Sequence, residues 1–174
     1  MSLSVADRAR RIGTFRFVEV RLMEIAAGWT PTTPEMEAKV MFGRHIWDFA
    51  QHADALGRRM FELRQPAQRS FDPAPAYVTL LEEVAAVEDT AGRLAALYDV
   101  LLDGVQQQYR RYAEEVDAML DAPSLVVIEH ILADARRQRE EADQLRRALE
   151  LPFSPSPGLR ARAEAVEMVA AAGA

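Results

Sequence analysis

The 174 residues predict an all-α fold. Three observations lead there. Runs of β-branched residues with period-2 alternation are absent, apolar residues recur at three- and four-residue spacing, and Gly and Pro gather at a few breakpoints. Those breakpoints order the elements. Helix A extends from about Asp7 to Ala27 and stops at Gly28-Trp29-Thr30-Pro31. Thr33 is placed to cap helix B, with Pro34 in its first turn, and B reaches about Arg64. Residues 65–76, with prolines at 66, 73 and 75, form a connection. Helix C extends from about Tyr77 to Leu120, bent at Asp103-Gly104, and Asp121 to Ser124 turns the chain into helix D, which ends near Leu151. PFSPSPG (152–158) reads as a linker and 159–174 as a short tail helix or a frayed end. The expected organisation is one helical domain at 1–151 followed by a tail at 152–174.

Composition narrows the function classes. Hydrophobic residues make up 49% of the chain, enough for a packed core, yet no apolar run reaches the 18 residues of a membrane span. The start MSLSVADRARR lacks the apolar segment of a signal peptide, so a cytoplasmic protein is expected. The absence of cysteine excludes disulfides, thiolate metal sites and iron–sulfur clusters. A net charge of −6 with interspersed signs argues against nucleic acid as a partner. Among the 21 basic residues Lys39 is the sole lysine, a bias that fits a GC-rich genome and singles out Lys39.

Loop lengths constrain topology. The short A–B and C–D links make antiparallel neighbours. The B–C connection, at about 3.3 Å per residue, reaches about 40 Å. That is close to the length of a 30-residue helix at about 1.5 Å per residue, so the connection can cross end to end and leave B and C parallel.

Several polar residues fall on the apolar faces. Helix A places Ile12, Phe15, Leu22, Ala26 and Trp29 inward, with Glu19 amid them. A carboxylate there must be paired, protonated or ligating. Helix B turns Phe42, Ile46, Phe49, Ala53, Leu56 and Met60 inward; His45 and His52 lie on one edge of that stripe, Lys39 near the other, and Asp48 further out. The two histidines are about 10.5 Å apart along the axis, too far to share one ion, which needs i, i+4 spacing. Tyr98, Tyr109 and Tyr112 line helix C as packing residues with bonded hydroxyls. Helix D turns Ile128, Leu132, Ala135, Ala142 and Leu145 inward, with Gln138 and Arg139 intruding, while His130 faces away.

Two of these segments, WDFAQHA (47–53) and ADARRQ (133–138), resemble the Asp-Glu-x-x-His stretches of the ferritin-like superfamily. In its di-iron members helices A and C each provide a Glu, and helices B and D each provide a Glu-x-x-His pair. The resemblance spans about residues 8–150 and implies a ferritin-like four-helix bundle with one long crossover and a short C-terminal tail helix. On it, Glu19 takes the helix A ligand position and His52 the helix B histidine. Phe49 replaces the helix B Glu, Ala135 and Gln138 replace the helix D pair, and no inward carboxylate falls near 98–102 in helix C. So few ligands imply a metal-free protein without a cofactor.

The functional expectation follows from the vacated position. It is a metal-independent ferritin-like protein of small-molecule or natural-product (secondary) biosynthesis, performing a substitution or elimination. Glu19, His52 and Lys39 are the candidate catalytic residues, and His45, Tyr98, Gln138 and Arg139 the candidate substrate-binding ones. The alternatives are a non-catalytic subunit that stabilises an active homologue, and a divergent non-haem iron or manganese oxidase using Glu19, His52 and His45. Apolar residues on several sides of helix A (Phe15, Phe17, Val18, Ile25) predict a homodimer, or a heterodimer with a related helical protein.

Overall fold

A computed structural model describes residues 3–152 and 157–170; among them every regular element is helical. The middle of the expected linker, 153–156, and the last residues, 171–174, lie outside the described residues. Helix α1 spans Val5–Trp29 and opens on Ser4, whose hydroxyl accepts from the Asp7 N–H. After a 3₁₀ turn at Thr30–Thr32, α2 spans Met36–Glu62. The expected cap, Thr33, stands outside α2. Its hydroxyl instead donates to the Trp29 carbonyl at 2.9 Å and accepts from Arg93 at 2.7 Å, so it ties the α1–α2 turn to the third helical rod.

The crossover is longer than the sequence implied. Residues 63–74 run across α1 and α2, with the Phe71 N–H donating to Gly13 O and the Gln68 N–H to Gly57 O, both at 3.1 Å. The contact at Gly13 needs glycine, because a Cβ there would strike the Phe71 ring, whereas one on Gly57 would meet only the movable end of the Gln68 side chain. Helix α3 (Pro75–Ala85) completes the crossing alongside α1, ending where Trp29 Nε1 donates to Ala85 O at 3.0 Å. The expected helix C is therefore two elements. The chain reverses at 86–89, where the Asp89 carboxylate caps α4 (Thr90–Leu94) by accepting from Gly92 N at 2.7 Å. Arg93 closes the turn by donating to Val87 O at 2.9 Å. The rod continues through a π-helical stretch, Ala95–Leu101, into α5 (Leu102–Glu115). Its distortion is that stretch and not the expected bend at Gly104, which lies within regular helix.

Helix α6 spans Ala122–Ala148, and α7, Pro157–Ala165, follows. Named contacts give the directions. Down the 90–115 rod, Thr90 meets Glu35, Tyr98 meets His45, and Tyr109 meets Glu19, the partner of His52. The rod therefore runs the same way as α2. Along α6, Ser124, Asp134 and Glu141 meet Arg59, His52 and His45, so α6 runs opposite to α2.

One apolar core joins these helices, and Leu159 and Met168 of the C-terminal stretch belong to it. Met168 is fully buried, and its carbonyl accepts from Ala74 N at 3.0 Å, which ties that stretch to the crossover. The surplus apolar surface of α1 is used within the chain. Phe15, Val18 and Ile25 are buried and Phe17 is half-buried, with α3 packed on α1, so these residues offer no exposed interface. The exposed large apolar side chains lie elsewhere, Met36, Val40 and Trp47 of α2 among them. Among the described residues no helix is long and apolar enough to cross a membrane.

Candidate functional site

Four helical rods each contribute one residue to a polar chain through the core. Tyr109 of α5 donates its hydroxyl to Glu19 Oε1 at 2.7 Å, Glu19 Oε2 lies 3.1 Å from His52 Nδ1, and His52 Nε2 lies 3.1 Å from Asp134 Oδ2 of α6. Glu19 and His52 are 1% and 2% exposed, so water does not solvate the pair. Two turns earlier on α2 a second chain repeats the form. Tyr98 sits 2.6 Å from His45 Nδ1, and His45 Nε2 lies 3.1 Å from Glu141 Oε2. Arg137 joins the two chains at their outer ends, donating to Asp48 at 2.8 Å, Asp134 at 2.9 Å and Glu141 at 3.2 Å.

The two histidines are shifted in opposite directions. Burial pulls the His52 imidazole down, but Glu19 and then Asp134 outweigh it and raise it to about 9. His52 is an imidazolium at neutral pH, donating to a carboxylate from each nitrogen. Its proton in turn holds Asp134 below the usual carboxylate range, against the opposing effect of burial. For His45 burial wins. With one half-exposed carboxylate and a phenol as neighbours, its imidazole is pushed below its ordinary value despite Glu141. Since the carboxylate only accepts, neutral His45 carries its proton on Nε2 and its Nδ1 accepts from Tyr98. Burial holds Tyr98 and Tyr109 well above the usual phenol range, so both remain donors.

The structure thus brings Glu19 and His52 together, and His45 with Tyr98, as two neighbouring chains. Gln138 is fully buried between them, donating to Asp48 at 3.1 Å, while its Oε1 meets no donor among the described residues. Lys39 is not part of either chain. It lies 13 residues before His52, about 20 Å along the axis, half-buried and without a side-chain bond. Arg139 faces the seam with the rod, 3.4 Å from Asp103 and 3.8 Å from Asp99, far from Glu19's partners. Sequence reasoning missed Asp134 and Glu141, and it gave Tyr109 a bonded hydroxyl without naming Glu19 as its partner. A signal existed: the seven-residue spacing of Asp134 and Glu141 on α6 matches that of His45 and His52 on the antiparallel α2. His130 is exposed, as its position on the helix implies, with its Nε2 3.4 Å from Asp134.

A di-iron ligand set does not fit these residues. Phe49 and Ala135, which stand where the resemblance would require carboxylates, are buried apolar residues, and both ring nitrogens of His52 already lie 3.1 Å from carboxylate oxygens. Among the described residues no group of three His, Asp or Glu side chains could hold a metal ion. A cavity of about 460 Å³ lies beside the centre, between α5 and α7. Tyr77 of α3 is on its wall, and burial together with the charge of Glu19 holds that phenol well above its usual range. No family model matches the chain, and neither a curated protein nor a solved structure is significantly similar to it.

Proposed function

We propose that this chain is a metal-independent ferritin-like four-helix bundle of small-molecule metabolism, which takes its ligand beside the charged centre and not in it. Support for the bundle comes from two antiparallel hairpins joined by a long crossover, with α2 and the 90–115 rod running the same way. Every oxygen of Glu19 and every nitrogen of His52 already has a partner, so the pair replaces metal charge with an ion pair and leaves nothing for a substrate. The observation that carries the ligand reading is the cavity itself, with Tyr77 of α3 on its wall. A cavity of that size falls within the range of small-molecule sites, about 300–1,000 Å³.

The test is a metabolite panel read by thermal shift, with and without EDTA, on the native chain and on Tyr77→Phe. The expected result is a ligand whose binding is indifferent to EDTA and weakened by Tyr77→Phe. A panel without ligands, or binding that EDTA abolishes, overturns the reading. So does stoichiometric iron or manganese held by Glu19 and His52.

A second reading, a partner subunit of a related helical protein, is favoured by one feature. Met36, Val40 and Trp47 are 65%, 56% and 66% exposed along α2, and with Leu145 and Ala148 of α6 the first two line an open groove. Light scattering of the native chain and of Trp47→Glu tests it. Association abolished by the substitution supports it, and a monomer with or without the homologous partner removes it.

A further inference from the structure

The cavity between α5 and α7 is lined by charges of both signs, Arg111 and Arg160 on one side of the balance and Asp103, Glu164 and Glu167 on the other. Arg160 of α7 is half-buried, and its one bond is from Nη2 to the main-chain carbonyl of Asp99, at 2.8 Å. The Asp99 carboxylate is taken by Arg146 at 2.7 Å, with Arg139 at 3.8 Å, so it does not neutralise Arg160. Glu164 lies one turn along α7, at the i, i+4 spacing where a helix usually pairs such residues. No ion pair joins them, because the guanidinium is turned to the Asp99 carbonyl. Glu164 and Glu167 are exposed and have no cationic partner within 4.0 Å among the described residues, and both line the same cavity. Arg111, across from them on α5, is 3.7 Å from Glu115, a carboxylate already held by Arg11 at 2.6 Å. Here two guanidiniums and three carboxylates line a common space beside Tyr77, and one of the carboxylates, Asp103, is already engaged by Arg139 at 3.4 Å.

We propose that this cavity binds a small zwitterion of the α-amino-acid type, its carboxylate against Arg160 and Arg111 and its ammonium against Glu164 and Glu167. A guanidinium presents a planar fork of donors that suits a carboxylate, and an ammonium can donate to two acceptors at once. A purely anionic ligand would leave Glu164 and Glu167 facing it, and a purely cationic one would face Arg160 and Arg111. Either mismatch opposes binding. The assignment rests on the small-molecule reading above and specifies its ligand.

Three probes of matched size separate the charge requirements: norvaline, pentanoate, which lacks the amine, and butylamine, which lacks the carboxylate. Each is titrated into the isotope-labelled full chain, with the amides of residues 157–167 and the arginine Nε–H signals as readout. Norvaline is expected to bind saturably, and pentanoate and butylamine about ten-fold more weakly or not at all. Arg160→Gln should weaken norvaline about ten-fold, and Glu164→Gln should weaken norvaline while sparing pentanoate. The amide spectrum of each variant reports whether the fold survives; Arg111→Gln, on a different helix, serves as the second test of the carboxylate subsite. Pentanoate binding as tightly as norvaline, or norvaline binding indifferent to both arginine substitutions, overturns the proposal. If none of the probes binds but the metabolite panel yields a Tyr77-dependent ligand, the zwitterion assignment fails and the small-molecule reading stands. If nothing binds in either experiment, both fail.

Discussion

His52 Nδ1 lies 3.1 Å from Glu19 Oε2, and this contact sets the charge of the bundle centre. His45, on the same helix and equally buried, meets a phenol in the corresponding place and stays neutral. The partner on the facing rods, and not the residue type or its burial, decides which histidine is charged.

The first prediction concerns pH. The His52 proton is held up to about 9, above the unfolded value of about 6.5. Its contribution, about 3 kcal/mol, is fully present below the unfolded value and is lost as pH rises through the folded one. His45 behaves in reverse, because its folded value is lowered. Its contribution is present above about 6.5 and is lost as pH falls towards the lowered value. Urea denaturation across pH should show a stability maximum near neutrality. His52→Gln should flatten the alkaline limb and His45→Gln the acidic limb between neutrality and the carboxylate range. An alkaline limb unchanged in His52→Gln would contradict the charge assignment.

Glu19→Gln removes one partner of a buried pair while keeping an acceptor for Tyr109. A loss of about 3–5 kcal/mol is expected at neutral pH, the usual result of stranding a buried charge. The His52 imidazole, followed by NMR, should titrate more than a unit below its native value. An unmoved His52 titration would show that Glu19 does not hold the proton.

The crossover supplies a paired test at its two glycines. Gly13→Ala pushes a methyl into the Phe71 ring, whose backbone is bonded to residue 13 itself. Overpacking of this kind costs about 1–3 kcal/mol, more than the roughly 1 kcal/mol by which alanine favours a helix. Gly57→Ala meets the exposed side chain of Gln68, which can swing away. Thermal melts should therefore show a clear loss for Gly13→Ala and little change for Gly57→Ala. The opposite ranking would mean that the crossover is not packed on α1 as described.

Lys39→Ala should change stability by less than about 0.5 kcal/mol and leave ligand binding intact, because Lys39 touches neither polar chain. A large loss of binding would place the ligand near the start of α2 and away from α7.

Much of the fold was legible from the spacing of apolar residues. The approximate extents of α1 and α6 follow from the breakpoints, to within about three residues, and the buried position of Glu19 from 3.6-residue periodicity, since that pattern records which face a helix must hide. The reversal at 86–89 was not legible. Val84, Val87 and Ala91 keep helical spacing across it and no Gly or Pro marks it, so the local cue was the capping sequence Asp89-Thr90 alone.

By itself the sequence determined that the chain is helical and that Glu19, on an apolar helix face, must be buried with a partner. Those conclusions depend on residue types and on periodicity along one chain. The tertiary structure decided the rest. It chose His52, not Lys39 or Arg139, as the partner of Glu19, and it added Asp134, Glu141 and Tyr109 from facing helices. It also laid α3 over the apolar side of α1 that had implied a dimer. The reason is physical: the charge of a buried group depends on what lies about 3 Å away across a helix interface, and periodicity gives the face of a residue without giving its neighbour on another helix.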